Sequence, residues 1–205
     1  MFSHVYWIGG SPCSGKSSIA ELLTRRFDLQ YYPCDTHFEA HRARATADAQ
    51  PNLSSLNGMS WDDIWMRPVR VLQEHEIAIY REEFAMILDD LRALPDDRPI
   101  IAEGAVLLPE LVLAHLGRPQ QAVWVVPTPE FQWQYYSQRP WIQGILKQCS
   151  FPEQAFKNWM GRDTAFARHV VQQAQQVGLS TIIVDGTHSI EAHVEHIAQY
   201  FGLAE

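Results

Sequence analysis

Residues 10–17 constrain the fold and the ligand of this chain more than any other stretch of the sequence. They run Gly-Ser-Pro-Cys-Ser-Gly-Lys-Ser and fit the pattern G-x-x-x-x-G-K-[ST] of a phosphate-binding loop. The apolar run before them, at residues 5–8, predicts a buried strand, and the helically spaced apolar residues after them predict an amphipathic helix. A strand, a glycine-containing loop and a helix in this order indicate that the chain binds a nucleoside triphosphate.

Each position of this phosphate loop has an expected role. Gly10 and Gly15 let the backbone curl so that successive N–H groups point at phosphate oxygens. Lys16 would reach the β- and γ-phosphates, and the hydroxyl of Ser17 would hold Mg²⁺. Because a helix N-terminus lowers the pKa of a thiol, we expect a reactive Cys13. The predicted nucleotide-binding residues here are Gly10, Ser11, Pro12, Cys13, Ser14, Gly15, Lys16, Ser17 and Ser18.

Composition narrows the class of protein. The chain has 205 residues, which predicts a single domain over residues 1–205. Its formal net charge of −8, without a basic stripe, argues against nucleic-acid binding. No apolar run is long enough to span a bilayer, and the N-terminus leads directly into the first predicted strand, so we expect a cytoplasmic protein. Three widely spaced cysteines, at 13, 34 and 149, indicate neither a disulfide framework nor a zinc site.

Five strands are predicted, and helical patterns separate them. The strands are expected at residues 5–8, 30–34, 99–102, 122–126 and 181–184. This alternation predicts a three-layer α/β fold with a five-stranded parallel sheet and helices on both faces. The carboxyl ends of parallel strands meet at one edge of a sheet, where ligands bind.

Two acidic residues fall at predicted strand ends. Asp35 follows the second strand, nineteen residues after Lys16, and is a candidate functional side chain or metal contact at this edge. A helix N-cap is the alternative for Asp35. Glu103 ends the third strand, where an acid can hold Mg²⁺ through water or orient an attacking group. A solvated carboxylate is the alternative for Glu103.

The stretch between the last two strands carries candidate arginines. A long helix is predicted over residues 152–177, and Asp163 lies near the centre of its apolar stripe, with Arg162 off one edge. Either the two form a buried structural ion pair, or they line the wall of an active site and Arg162 reaches a phosphate. Phosphoryl transfer needs arginines beyond Lys16, so residues 138–168, which also contain Arg139, are predicted to form a lid region.

Together these features resemble the small-molecule kinases that contain this loop, such as shikimate and gluconate kinases, chloramphenicol phosphotransferase, adenylate kinase and nucleoside kinases. The resemblance implies a P-loop NTPase fold and transfer of the γ-phosphoryl group of ATP, with Mg²⁺, to a hydroxyl or phosphate oxygen of a nucleoside-, nucleotide- or sugar-like acceptor. It implies catalytic roles for Lys16, Asp35, Arg162 and Arg139, and places the Gly186-Thr187 turn near the adenine.

The position of Asp35 also predicts which segment of the chain binds the acceptor. Residues 36–70 emerge next to Asp35 and are predicted to bind the acceptor. Residues 41–60 lack apolar periodicity and are expected to form a long connection that is a mobile or binding segment. The cationic and aromatic candidates there are Arg42, Arg44, Arg67, Trp61 and Trp65.

A nucleotide-gated NTPase switch without an acceptor stays an alternative. His37 and His41, like His193 and His196, have helical spacing but no third ligand, which favours solvated histidines over a metal site. Either a monomer or a homodimer is expected.

Overall fold

A computed structural model of the chain describes residues 2–203. Its centre is a five-stranded sheet in which every neighbouring pair is parallel, with strand order β2-β3-β1-β4-β5. The strands are β1 (Val5–Gly10), β2 (Gln30–Pro33), β3 (Ile100–Glu103), β4 (Ala122–Pro127) and β5 (Ser180–Val184). The predicted α/β fold with a five-stranded parallel sheet is confirmed.

Helices cover both faces of this sheet. They are α1 (Lys16–Phe27), α2 (Cys34–Arg44), α3 (Pro51–Ser55), α4 (Trp61–Trp65), α5 (Val69–Ala93), α6 (Pro109–Leu113), α7 (Pro129–Tyr136), α8 (Pro140–Leu146), α9 (Pro152–Gln176) and α10 (Ile190–Phe201). Two short 3-10 turns lie at Leu56–Gly58 and Pro119–Gln121. Helices α1 and α10 pack on one face, and α5, α6 and α9 on the other. Among residues 2–203, no helix combines the length and the apolar character needed to cross a membrane.

The strands alternate their side chains between the two cores. In β4, Trp124 and Val126 pack in the core under α5 and α9, whereas Val123 and Val125 pack in the core under α1 and α10. Both faces of a sheet covered by helices are apolar, so a central strand such as β4 is a continuous apolar run. All six residues of β4 are buried. This burial explains why β4 is also the clearest strand in the sequence.

Local helix-start signals begin two of the helices. The Ser60 side chain accepts a hydrogen bond from the Asp63 backbone N–H, and the Asp63 carboxylate accepts from the Ser60 N–H, so a complete capping box begins α4. Pro68 stands immediately before α5, where its missing N–H costs nothing. Both signals involve only residues that are close together in the chain.

Two sequence-based expectations about secondary structure are wrong. Residues 41–60 do not form a long irregular connection, because the Glu82 carboxylate on α5 accepts hydrogen bonds from the backbone N–H groups of Asn52 and Leu53 and so supports the start of α3. Helix α7 was not predicted at all. Its start signals are present, however, because Thr128 caps it through the Phe131 N–H and Pro129 is its first residue.

The close approach of β1 to β4 yields a stability prediction. Gly10 has φ +132°, and a Cβ built there would lie 1.9 Å from the Val125 carbonyl oxygen. We expect Gly10→Ala to lower the free energy of unfolding by about 3 kcal/mol or more, because neither backbone can move away within the sheet. Urea denaturation measures this change. Gly144→Ala, on α8 with open space around the built Cβ, is the control and should be neutral or slightly stabilising; equal effects of the two substitutions would contradict the prediction.

Candidate active site

The phosphate loop adopts a curled backbone. Cys13, Gly15 and Gly10 have positive φ values of 67°, 82° and 132°, which turns successive N–H groups toward a common centre. The Lys16 ammonium donates to the Ser11 carbonyl oxygen at 3.0 Å, folding the side chain back over the loop. The buried Ser14 hydroxyl finds no hydrogen-bond partner within residues 2–203. A donor group of this kind, beside inward-facing N–H groups, suits a phosphate oxygen.

Helix α7 contacts the phosphate loop through the side chain of Gln132. The Gln132 amide donates to the Pro12 carbonyl oxygen at 2.8 Å and to the Ser11 hydroxyl at 3.3 Å. Gln132 is 1% exposed, so these hydrogen bonds do not compete with water. Gln132 was not predicted as a site residue, because a glutamine on an aromatic-rich helix carries no local signal of a tertiary contact.

Glu103 lies at the centre of the site. Strand β3 runs between β1 and β2, so Glu103 pairs with Ile8 on one side and Pro33 on the other. Its side chain is buried, its carboxylate lies 3.9 Å from the Lys16 ammonium, and it accepts a hydrogen bond from Tyr31 at 3.0 Å. Burial raises the pKa of Glu103 despite the opposing effect of Lys16. The alternative of a solvated carboxylate is therefore wrong.

Asp35 lies in the first turn of α2, at the end of β2. The N-cap residue of α2 is Pro33, so Asp35 does not take the N-cap position that was its alternative. Its carboxylate is exposed and acts electrostatically on Glu103 and Glu83, raising the pKa of both after the larger effect of burial. The structure therefore brings Asp35, Glu103 and Lys16 to one end of the sheet.

A large cavity of about 650 Å³ opens beside this end of the sheet. It extends from Pro12 of the phosphate loop and Asp35 to the side of α5, and residues of the 36–70 segment, of α8 and of α9 also line it. Its aromatic lining consists of Phe38, Trp61, Trp65, Tyr80, Tyr136, Trp141 and Trp159. Its charged lining consists of Asp35, Glu39, Arg42, Arg67, Glu76, Glu83 and Arg162.

Arg162 forms a buried ion-pair cluster in the wall of this cavity. Its guanidinium lies 3.1 Å from Glu76 and 2.7 Å from Asp163, and 4.8 Å above the Trp65 ring. Trp65 stacks on Trp159 at 3.8 Å between ring centroids. The two alternatives from the sequence therefore describe one arrangement, because Arg162 both pairs with Asp163 and lines the cavity. A role at a phosphate stays a prediction and would require Arg162 to leave Glu76.

The same cluster shifts the pKa values of its members. Burial raises the pKa of Glu76 to about 7 and also raises that of Asp163, while Arg162 opposes both shifts. Burial alone would lower the pKa of Arg162, but Asp163 and Glu76 raise it. Two carboxylates share one guanidinium, and the second oxygen of Glu76 has no hydrogen-bond partner within residues 2–203. Because one guanidinium faces two buried carboxyl groups, the cluster favours a proton on a carboxyl group.

The remaining candidates lie around the loop. The Arg139 guanidinium lies 5.3 Å from the Tyr136 ring and is close enough to lower the pKa of the Cys13 thiol. Gly186 has φ +90° and, with Thr187, lies in the exposed turn before α10. This turn adjoins the phosphate loop, because a Cβ built at Gly15 would lie 2.8 Å from Ile190. Ser17 and Ser18 are exposed on the first turn of α1. A nucleotide role for these residues stays a prediction.

Two expectations about reactive or solvated groups are wrong. Burial raises the pKa of Cys13 more strongly than Arg139 lowers it, so the thiol is not activated by the helix N-terminus. His41 is buried rather than solvated, and its two ring nitrogens lie 2.9 Å from Glu83 and 2.9 Å from Asp90. His193 is also buried. Within residues 2–203, no group of three His, Cys, Asp or Glu side chains could hold a metal ion.

The side-chain oxygens beside the phosphate loop are suitable ligands for a Mg²⁺ ion that also binds phosphate groups. Mg²⁺ takes oxygen ligands and is bound by one or two protein groups together with substrate phosphates and water. The Ser17 hydroxyl and the Glu103 carboxylate, which are close enough for Ser17 to lower the pKa of Glu103, supply oxygens of this kind. These two residues would hold the ion.

Two solved structures with the same architecture are named kinases. The chain is similar to a shikimate kinase from Bacteroides thetaiotaomicron, with 15% identity, 97% of this chain and 98% of that chain covered, and a TM-score of 0.54. It is also similar to the deoxyadenosine kinase from M. mycoides with bound dATP, with 11% identity, 97% and 99% coverage, and a TM-score of 0.50. The chain has the fold of the P-loop small-molecule kinases. Identities this low show the fold alone. No protein-family model matches the chain, and no curated protein does either.

The raised pKa of Glu76 predicts a pH-dependent contribution to stability. Between its ordinary value of 4.5 and about 7, Glu76 is more protonated in the folded protein than in the unfolded chain, so its contribution to the unfolding free energy falls as pH rises. Glu76→Gln removes this dependence. The wild-type minus variant difference should therefore decrease by on the order of 2–3 kcal/mol across that window and level off above it.

Urea denaturation at several pH values measures the difference. Glu74→Gln is the matched control, because Glu74 is exposed on the same helix and pairs with Arg70 at the surface. A pH-independent difference for Glu76→Gln would contradict the prediction.

Proposed function

We propose that this protein is a phosphotransferase that moves the γ-phosphoryl group of ATP to a hydroxyl of a small-molecule acceptor in the large cavity. The single observation that supports this most is the cavity itself, which is lined both by Pro12 of the phosphate loop and by Asp35. A donor bound at the loop and an acceptor in the cavity would then meet beside Asp35. The acceptor classes named by the two structural neighbours, shikimate and a nucleoside, are the first to test.

Each residue of the site has a role in this mechanism. Asp35 accepts the hydrogen bond of the acceptor hydroxyl and takes its proton as the oxygen bonds to the γ-phosphorus. The bond from that phosphorus to the bridging oxygen breaks, and ADP leaves. Lys16 stabilises the negative charge on the transferred group, as would Arg162 or Arg139 from the 138–168 lid region. Mg²⁺, held by Ser17 and Glu103 when bound, neutralises charge on the phosphate oxygens.

A nucleotide-gated NTPase switch is the alternative. It would need no acceptor, so a cavity lined by seven aromatic side chains beside the phosphate loop favours the phosphotransferase. A panel of nucleosides, nucleotides, sugars, sugar acids and shikimate, assayed for ADP release, separates the two. ATP hydrolysis that no compound accelerates would favour the switch. A cytoplasmic location and a monomeric or homodimeric state stay predictions.

The catalytic role of Asp35 is tested by Asp35→Asn. We expect kcat for phosphoryl transfer to fall about 100-fold or more, because the amide cannot take the proton of the acceptor hydroxyl. The affinity for ATP should change little, since Asp35 lies outside the phosphate loop. Asp96→Asn, at an exposed turn before β3, is the control. A transfer rate within a few-fold of wild type would rule out this role for Asp35.

The contact of Gln132 with the loop predicts a binding defect. Gln132→Leu removes both hydrogen bonds and leaves the Pro12 carbonyl oxygen without a donor. We expect the Kd of the Mg²⁺ complex of the non-hydrolysable analogue AMP-PNP to rise about tenfold, because the loop is then less ordered before binding. Isothermal titration calorimetry measures it. Gln134→Leu, on the exposed side of the same helix, should bind like wild type; the same loss in both variants would point to general damage to α7.

A further inference from the structure

A second cavity, of about 300 Å³, is lined by residues of β4, α7, α9 and β5. None of the described residues that line it also lines the large cavity. Val126 of β4 is buried, whereas Ile183, its partner on β5, is 51% exposed. The apolar lining consists of Val126, Pro127, Pro129, Ala167, Val171 and Ile183. The second cavity is therefore a place where the sheet offers an uncovered apolar surface.

The polar lining of the second cavity comes mainly from one side of α9. Thr164, Arg168 and Gln172 are four residues apart, so they form one row along the helix. Of the described residues that line this cavity, only Arg168 is charged. Its guanidinium makes no hydrogen bond, ion pair or ring contact within residues 2–203. A guanidinium carries five N–H donors in a rigid fork, so Arg168 can bind an anion at the edge of the apolar surface.

Gln132 connects the second cavity with the phosphate loop. It lines the cavity, and its buried amide donates to the Pro12 carbonyl oxygen at 2.8 Å and to the Ser11 hydroxyl at 3.3 Å. A ligand in the cavity would pack against Gln132 and fill the space into which its amide could turn away from the loop. An occupied cavity therefore favours the side-chain conformation that is hydrogen-bonded to the loop.

The size and the charge of the second cavity define the class of its ligand. Ligand pockets have volumes of roughly 300–1,000 Å³, so a cavity of about 300 Å³ fits a compound with one ring better than a polypeptide segment. One guanidinium can bind both oxygens of a carboxylate. A phosphate group would bring a second negative charge, for which the described lining residues offer no second cation. These properties favour a monocarboxylate with an apolar body.

We propose that the second cavity binds a small apolar monocarboxylate, whose apolar part lies on Val126 and Ile183 and whose carboxylate pairs with Arg168. Resting on the nucleotide binding proposed above, this ligand is an effector: through Gln132 its binding strengthens that of ATP at the phosphate loop. Because coupling between two binding sites is reciprocal, bound ATP strengthens the binding of the carboxylate by the same factor.

Matched charged and neutral probes test the carboxylate site. Isothermal titration calorimetry on the nucleotide-free protein compares 3-phenylpropanoate with 3-phenylpropanamide, which has the same apolar part. We expect the carboxylate to bind about tenfold more tightly, because its hydrogen bonds to a guanidinium are charge-assisted. Arg168→Gln should remove this preference by weakening only the carboxylate. Arg92→Gln is the matched control and should keep it, because Arg92 is exposed on α5 and does not line the cavity.

Ile183→Asp tests where the probes bind. Ile183 is half exposed, so its replacement leaves the buried core in place and puts a negative charge on the apolar surface. We expect the carboxylate to bind at least tenfold more weakly. No binding of the carboxylate, a preference that survives Arg168→Gln, or a carboxylate affinity unchanged by Ile183→Asp would each overturn the proposal. A dimer that Ile183→Asp dissociates, with no binding of either probe, would overturn it in favour of a contact between two copies of the chain.

The effector role is measured at the phosphate loop. With the second cavity saturated by 3-phenylpropanoate, the Kd of AMP-PNP with Mg²⁺ should fall about 3- to 10-fold, and Gln132→Leu should remove this effect. An unchanged Kd in the wild type, or an effect that survives Gln132→Leu, would refute the effector role. If AMP-PNP does not bind at all while the carboxylate binds through Arg168, the proposed nucleotide function fails and the carboxylate site stands.

Discussion

The close contact between β1 and β4 is the constraint on which the site depends. A side chain at Gly10 would collide with the Val125 carbonyl, so only glycine lets the central strand stay in the sheet while its φ of +132° starts the phosphate loop. The Ser11 N–H then donates to the same carbonyl at 3.3 Å. The loop is therefore an extension of the most buried part of the sheet, and the positions of Lys16 and α1 follow from it.

Burial of carboxylates is the second feature of the site. Glu103, Glu76, Glu83 and Asp163 are all buried, and burial raises the pKa of each. An isolated buried carboxylate would be strongly destabilising, so each has a partner: Lys16, Arg162 or His41. Because these partners come from α1, α2 and α9, the same ion pairs that stabilise the fold bring the helices around the large cavity together.

Features set by local patterns were predictable from the sequence, and features set by distant contacts were not. The five strands and the strand–loop–helix order around residues 10–17 depend on neighbouring residues, and the sequence-based predictions of them hold. The support of α3 by Glu82, the burial of His41 against Asp90 and the contact of Gln132 with Pro12 join residues far apart in the chain. Neither periodicity nor a motif can reveal such pairs. The raised pKa of Cys13 likewise depends on burial, which the position of Cys13 near a helix N-terminus does not reveal.

Charged side chains of both signs line the large cavity. Near the sheet, exposed Asp35 lies among buried acids, so an anionic group of an acceptor would be repelled there, whereas a hydroxyl would find a hydrogen-bond acceptor. Arg67, held by Ile64 and His75, is positive without a carboxylate partner. The two charged groups that line the cavity at Asp35 and at Arg67 therefore differ in sign and in their surroundings.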